Sequence, residues 1–332
     1  MASVKRLHHG AYTVGWICAL HVEMAAAKAM LDERHQNLPQ PPRDNNNYVL
    51  GEIFGHNVVI ACLPSGEYGT NSAATVSTQM LSTFPQIHFN LMVGISGGAP
   101  GTVDIRLGHV VVSNPTGKYG GVVQYDLGKT VGDGCSIHTG TLNRPPQRLL
   151  TAVGNLRSEC MMGTTRVPEF LLEMEKKYPA MCDFQYPKSA VDNLFRADYD
   201  HSDPEQSCDN CCDKRMVVFR QPRLSQIPKI HYGLIASGNQ VMKHAASRDR
   251  IAKEHGVICF EMEAAGLMNH FPCLVIRGIC DYADSHKTKE WQKYAAATAA
   301  AYAKELLAVI QGSETVAGAM VQFGHIPGIY SL

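Results

Sequence analysis

The stretch Val257-Ile258-Cys259-Phe260-Glu261-Met262-Glu263-Ala264-Ala265-Gly266, followed by Cys273-Leu274-Val275-Ile276-Arg277-Gly278-Ile279-Cys280-Asp281, decides the fold class. Both halves are apolar runs that end on carboxylates. Residues 273–280 follow a proline and are too short for a helix, so they read as a buried strand. Asp281 stands where that strand ends. Glu263 follows the apolar run 257–260 and opens a helix. Ligands in open α/β sheets bind outside the carboxyl ends of the strands. Both carboxylates therefore fall on the rim where a small-molecule site is expected.

Outward from this stretch, strand and helix signals alternate. Tyr12 to Leu20, Asn57 to Leu63, Phe89 to Ile95, His109 to Ser113 and Ile230 to Ala236 read as strands. Val22 to Leu31, Ser72 to Ser82 and an Ala-rich segment from Lys289 to Ile310 read as helices. This alternation predicts an α/β protein with a mostly parallel or mixed sheet covered by helices. One domain over 11–311 is expected, with a flexible start (1–10) and a Gly-rich, irregular tail (312–332). Residues 131–229 break the rhythm with Pro, Cys and charged residues. They read as an insertion over the site or at an oligomer interface, with a helix at Leu171 to Lys177 and a strand at Met216 to Arg220.

Composition narrows the function classes. The chain has 332 residues, 45% of them apolar, and 30 basic residues against 30 acidic ones. A balanced charge without a basic stripe argues against nucleic acid as partner. No apolar run approaches the roughly 20 residues that cross a bilayer, and Met1 to Gly10 lacks an apolar signal core. Several of the 11 cysteines sit inside apolar runs as small buried hydrophobes, which fits a reducing, cytoplasmic compartment.

Three more strand ends carry polar or small residues. Glu23 begins the helix after Gly15 to Leu20, where a carboxylate also favours the helix dipole. Gly94-Ile95-Ser96-Gly97-Gly98-Ala99 reads as a turn in which Ser96 and Gly97 let a ligand approach the backbone, or as a plain tight turn. Gly233 to Met242 ends a strand on Ser237, with Asn239 as a cap or a site residue and Val241 and Met242 behind it. Parallel neighbouring strands would bring all four ends to one rim.

In this order the four pieces resemble the nucleoside phosphorylase and nucleosidase superfamily, over about residues 11–311. Gly-Leu-Ile-Ala-Ser-Gly, Phe-Glu-Met-Glu-Ala-Ala and Arg-Gly-Ile-Cys-Asp-Tyr-Ala-Asp are similar to motifs of its methylthioadenosine/S-adenosylhomocysteine nucleosidase branch and of related fungal purine nucleosidase domains. The resemblance implies a three-layer αβα fold around a mixed, partly barrel-like sheet, and a homo-oligomer, with a dimer favoured. It implies that Met262 and Glu263 bind ribose, that Asp281 protonates purine N7, and that Ser237 and Asn239 frame the base. Val241 and Met242 would lie against the purine, and Ser96 and Gly97 near the sugar. Glu23 matches the residue that activates water in the nucleosidases. The similar phosphorylases hold phosphate with arginines, one in the first loop and one before the Gly-rich turn, where this chain has Glu23 and Met92. Hydrolysis follows, without a cofactor. One departure is Ile95, which stands where the nucleosidase pattern has a serine.

The expected activity is thus a purine nucleoside or nucleotide N-ribohydrolase, with adenine as the favoured base and water as nucleophile. Two alternatives stay open: a phosphate-dependent purine nucleoside phosphorylase, for which Arg106 would have to swing inward, and a signalling module that senses a nucleoside without turnover. Lys243, His244, Arg248, Arg250, Lys214, Arg215, Arg220 and Arg223 offer charge for a 5′-phosphate, or solvated faces. Cys208 and Cys211 have metal-ligand spacing, but a second well-spaced pair is missing and His201 would have to reach back. No metal is assigned from the sequence.

Overall fold

The computed structural model describes residues 4–311 apart from 102, 131–135, 204 and 272. The tail 312–332 and residues 1–3 lie outside the described residues, so the readings made for them do as well. In chain order the strands are β1 (Val14–Cys18), β2 (Glu33–Arg34), β3 (Tyr48–Ile53), β4 (His56–Cys62), β5 (Phe89–Gly98), β6 (Val110–Ser113), β7 (Val122–Gln124), β8 (Gly128–Thr130), β9 (Ser136–His138), β10 (Ile230–Ser237), β11 (Val257–Glu261) and β12 (Cys273–Asp281). The helices are α1 (His21–Ala29), α2 (Thr70–Thr83), α3 (Gln147–Met161), α4 (Val167–Lys177), α5 (Cys208–Cys211), α6 (Ala245–His255) and α7 (Gln292–Val309).

The main sheet runs β11-β10-β6-β12-β5-β1-β4-β3-β2, with β7 on β10. Parallel pairing joins β1 to β4 and β5, β12 to β5, and β10 to β6, β7 and β11. An antiparallel pairing of β11 with β5 (Cys259 opposite Gly98, Phe260 opposite Gly97) closes β5-β12-β6-β10-β11 into a barrel. The expected α/β class with a mixed, partly barrel-like sheet is what the structure has.

The barrel explains why β12 is buried along its whole length. It lies between β5 and β6, and α7 covers it. A Cβ on Gly278 would come within 1.9 Å of the Ala295 carbonyl oxygen, so only glycine lets the helix sit this close. Alanines at 295–297, 299–301 and 303 serve the same end, and every residue of α7 from Tyr294 to Leu307 is buried.

Three elements differ from the sequence reading. β5 does not stop at Ile95 but runs on through Gly98, so the Gly-rich piece is strand and not turn. Glu263 opens no α-helix; only a 3-10 turn, Ala264–Gly266, follows it. Met216–Arg220 forms no strand, its one pairing being an isolated bridge between Val217 and Phe195. Within 131–229, α3 and α4 contribute Leu149, Val153, Leu156, Phe170 and Met174 to the main core. The buried residues of α3, Leu149, Ala152, Val153 and Leu156, follow the i, i+3, i+4, i+7 spacing of one helix face.

Candidate active site

A cavity of about 690 Å³ opens at the carboxyl ends of β1, β5, β11 and β12. Glu23, Ser96, Gly97, Met262, Glu263 and Asp281 line it, together with Val241 and Met242. β1, β5 and β12 are parallel and end on the same side, and barrel closure brings the end of β11 to them, so residues more than 250 positions apart in the chain meet there.

Three glutamates form its floor. Glu23 is buried and held by backbone donors: Ala19 N at 2.6 Å and Leu20 N at 3.0 Å on one oxygen, Ile95 N at 2.8 Å on the other. Glu261 accepts from Glu263 N (3.1 Å) and Ala264 N (3.0 Å). Arg277, with no exposed surface, pairs with Glu261 and lies 3.3 Å from Glu263. Burial pushes the Glu23 carboxyl up, against the opposing pull of Arg277 and its three N–H donors. Burial raises Glu263 to about 7, with Arg277 opposing and Glu261 and Glu23 reinforcing. Burial alone would lower Arg277, but Glu261, Glu263 and Glu23 raise it and keep it cationic.

The glycines of β5 make room for these groups. A Cβ on Gly94 would lie 2.4 Å from Glu23 Oε1 and 2.5 Å from Arg277 Nη1. A Cβ on Gly97 would lie 2.6 Å from Asp281 Oδ1. Site side chains, and not only a ligand, are what these glycines admit.

Asp281 forms another wall, at the end of β12. Its Oδ1 accepts from Ala283 N at 2.9 Å, and Lys287 Nζ lies 3.0 Å from its Oδ2. Ala283 has φ +52°, a left-handed conformation costly for a residue with a Cβ, and it turns the chain sharply beside the carboxylate. Asp192, His201, Arg220 and Arg223 brace this loop. Tyr282 bonds to Asp192, which Arg220 (3.0 Å) and Arg223 (2.5 Å) also hold. Ser285 Oγ accepts from His201 N at 2.9 Å.

Two residues expected at the base do other work. Ser237 Oγ accepts from Ala265 N at 2.9 Å, and Asn239 Oδ1 accepts from Thr70 N (3.1 Å) and Thr70 Oγ1 (3.0 Å). Neither lines the cavity. Asn239 does cap a helix, but it is α2 and not the one that follows it. Of the candidate 5′-phosphate cations, Lys243 lines the cavity. His244 caps α6, Arg248 Nη1 donates to Tyr282 O at 2.8 Å, and Arg250 faces Glu254 at 3.7 Å. Arg106 pairs with Asp104 at 2.9 Å and is not among the cavity residues.

Sequence reasoning missed Glu261, Arg277 and Lys287. A signal for Arg277 was present: a lone arginine inside the run 273–280 has to be paired if that run is buried. Lys287 carries no comparable pattern.

Residues 13–312 match the Phosphorylase superfamily. The chain is 50% identical to a nucleotide-binding leucine-rich repeat (NLR)-like protein of Hyaloscypha variabilis, over 90% of this chain and 29% of that protein. It thus spans under a third of that relative's length. It is 23% identical to a 5′-methylthioadenosine/S-adenosylhomocysteine nucleosidase of Mycobacterium bovis, covering 90% of this chain and 97% of that one. Among solved structures it is similar to the 5′-methylthioadenosine/S-adenosylhomocysteine nucleosidase of Neisseria meningitidis in complex with methylthio-immucillin-A. There the TM-score is 0.56 at 17% identity, covering 89% of this chain and 98% of that one.

Proposed function

The chain belongs to the phosphorylase superfamily, and from that premise we propose that it hydrolyses the N-glycosidic bond of a purine nucleoside or nucleotide, with adenine as the favoured base. The observation that carries this reading is that Glu23, Glu263 and Asp281 line one cavity. Water attacks C1′ of the ribose while Glu23 takes its proton. The C1′–N9 bond breaks, its electron pair passes to the purine, and Asp281 delivers a proton to N7. Lys287, hydrogen-bonded to Asp281, is the adjoining proton source. Glu263 accepts hydrogen bonds from the ribose hydroxyls. Its anion helps the oxocarbenium-like transition state more than the ground state.

Glu23 also supports water over phosphate as acceptor. Its carboxylate takes up the backbone donors of residues 19, 20 and 95, which a phosphate would otherwise require. Lys243 and Lys289 line the same cavity and suit a 5′-phosphorylated substrate. Adenosine, inosine, AMP and ATP incubated with the protein, with and without phosphate, test the reading. Free base without phosphate supports it. Base release strictly dependent on phosphate, yielding ribose 1-phosphate, would make the protein a phosphorylase. Tight binding with no release from any of these compounds would make it a sensor.

A further inference from the structure

Behind the loop that follows Asp281, five side chains with metal-binding atoms meet: His201, Cys208, Cys211, Cys212 and His286. The ligand atoms of His201, Cys208 and Cys212 all lie within 4.8 Å of one another. His286 Nδ1 is 3.7 Å from Cys208 Sγ and 3.5 Å from Cys212 Sγ. Cys211 Sγ is 3.5 Å from His201 Nδ1 and 3.8 Å from Cys212 Sγ. A tetrahedral zinc with Zn–S about 2.3 Å and Zn–N about 2.0–2.1 Å sets its ligand atoms about 3.4–3.8 Å apart. The contacts of His286 with the two sulfurs match those edges, and His201 stands within 4.8 Å of both sulfurs.

The orientation of His286 is a second, independent observation. Its Nε2 lies 2.9 Å from the carbonyl oxygen of Tyr199. A carbonyl only accepts, so Nε2 carries the proton and Nδ1 presents its lone pair to the two sulfurs. Metal-bound imidazoles are fixed in this way, by donating their other N–H to a carbonyl or carboxylate. The ring is further clamped by stacking on Phe195, with centroids 3.9 Å apart.

We propose that this cluster binds one structural zinc ion through His201, Cys208, Cys212 and His286. Thiolate and imidazole donors select zinc over the hard cations. Four protein ligands leave no open position, as in structural sites. Two thiol protons leave for solvent as the ion binds. The ion ties His201, Cys208 and Cys212 to His286, five residues beyond Asp281 and next to Lys287. It thereby fixes the back of the loop that carries the proposed acid. Cys211 donates its thiol to the Ser207 carbonyl oxygen at 3.4 Å and is left out of the ligand set.

The test is elemental analysis of the purified chain, expected to give about one zinc per molecule. The C208S/C212S double variant should lose it and C211S should keep it. Because the double variant can fail to fold, the wild-type chain is also stripped and reloaded with cobalt(II). The expected spectrum has thiolate-to-cobalt charge transfer and the intense visible bands of tetrahedral cobalt. Less than a tenth of an equivalent of zinc after loading, or an octahedral cobalt spectrum, overturns the proposal. Zinc lost from C211S but kept by a C212S single variant overturns the ligand assignment. Neither readout depends on nucleosidase activity.

Discussion

The two walls of the cavity handle charge in opposite ways. On the floor, Glu23, Glu261 and Glu263 surround one arginine that water does not reach. On the wall at the end of β12, Asp281 meets a lysine whose side chain keeps 28% of its surface exposed. The floor sits in low dielectric, where each charge depends on the others and none is free to move. The wall has a flexible ammonium at the edge of solvent, next to a backbone turned through a left-handed alanine. A fixed anion suits a sugar that gains positive charge; a solvent-linked pair suits a group that gives up a proton and must recover it.

The comparison can be broken most sharply by removing one group from each side. Glu23→Gln and Asp281→Asn should each lower base release by about 10²–10⁴-fold, the usual worth of a general acid or base. Purine binding, followed by calorimetry, should survive in the Glu23 variant. If both variants keep full turnover, neither carboxylate moves a proton.

Arg277→Met comes next. It strands three carboxylates in the interior, and losing one partner of a buried ion pair costs about 3–5 kcal/mol. Denaturant unfolding measures this. Lys287→Met should cost less than Arg277→Met, because it leaves one buried carboxylate without its cation instead of three, while still slowing turnover. Equal stability losses for the two variants would erase the distinction between floor and wall.

A finer probe is pH. Glu263 is raised in the folded state from 4.5 to about 7. The folded chain therefore binds a proton that the unfolded chain has released across that window. Stability from this group is fully present below pH 4.5 and is lost as pH rises towards 7. Glu263→Gln should flatten that part of the stability profile. Activity should run the other way: kcat/KM rises through about pH 7 as the ribose-binding anion forms, and this limb should vanish in the variant. A wild-type profile flat between about pH 5 and pH 9, roughly two units either side of its value, would count against an ionising Glu263.

Much of this was legible in the residues. The runs ending at Glu263 and Asp281 placed two carboxylates at strand ends, and the structure puts both on one cavity. Ser237 and Asn239 show where such reading stops. A polar residue at a strand end is equally suited to a ligand or to a backbone donor, and here Ala265 N and Thr70 N take them. Gly94 and Gly97 suit a tight turn or the close approach of a ligand to the backbone equally well. Their neighbours across the sheet, Glu23, Arg277 and Asp281, cannot be seen from local sequence.

From the order of its residues alone, this protein is an α/β chain with acids at the ends of its strands, because alternation and run length are local properties that hydrophobic burial enforces. Only the tertiary structure decided which charges share a partner. Arg277 meets Glu23, Glu261 and Glu263 through barrel closure, and His286 reaches Cys208 and Cys212 across more than 70 positions. Coulombic and ligand contacts depend on distance in space, and chain separation carries no record of it.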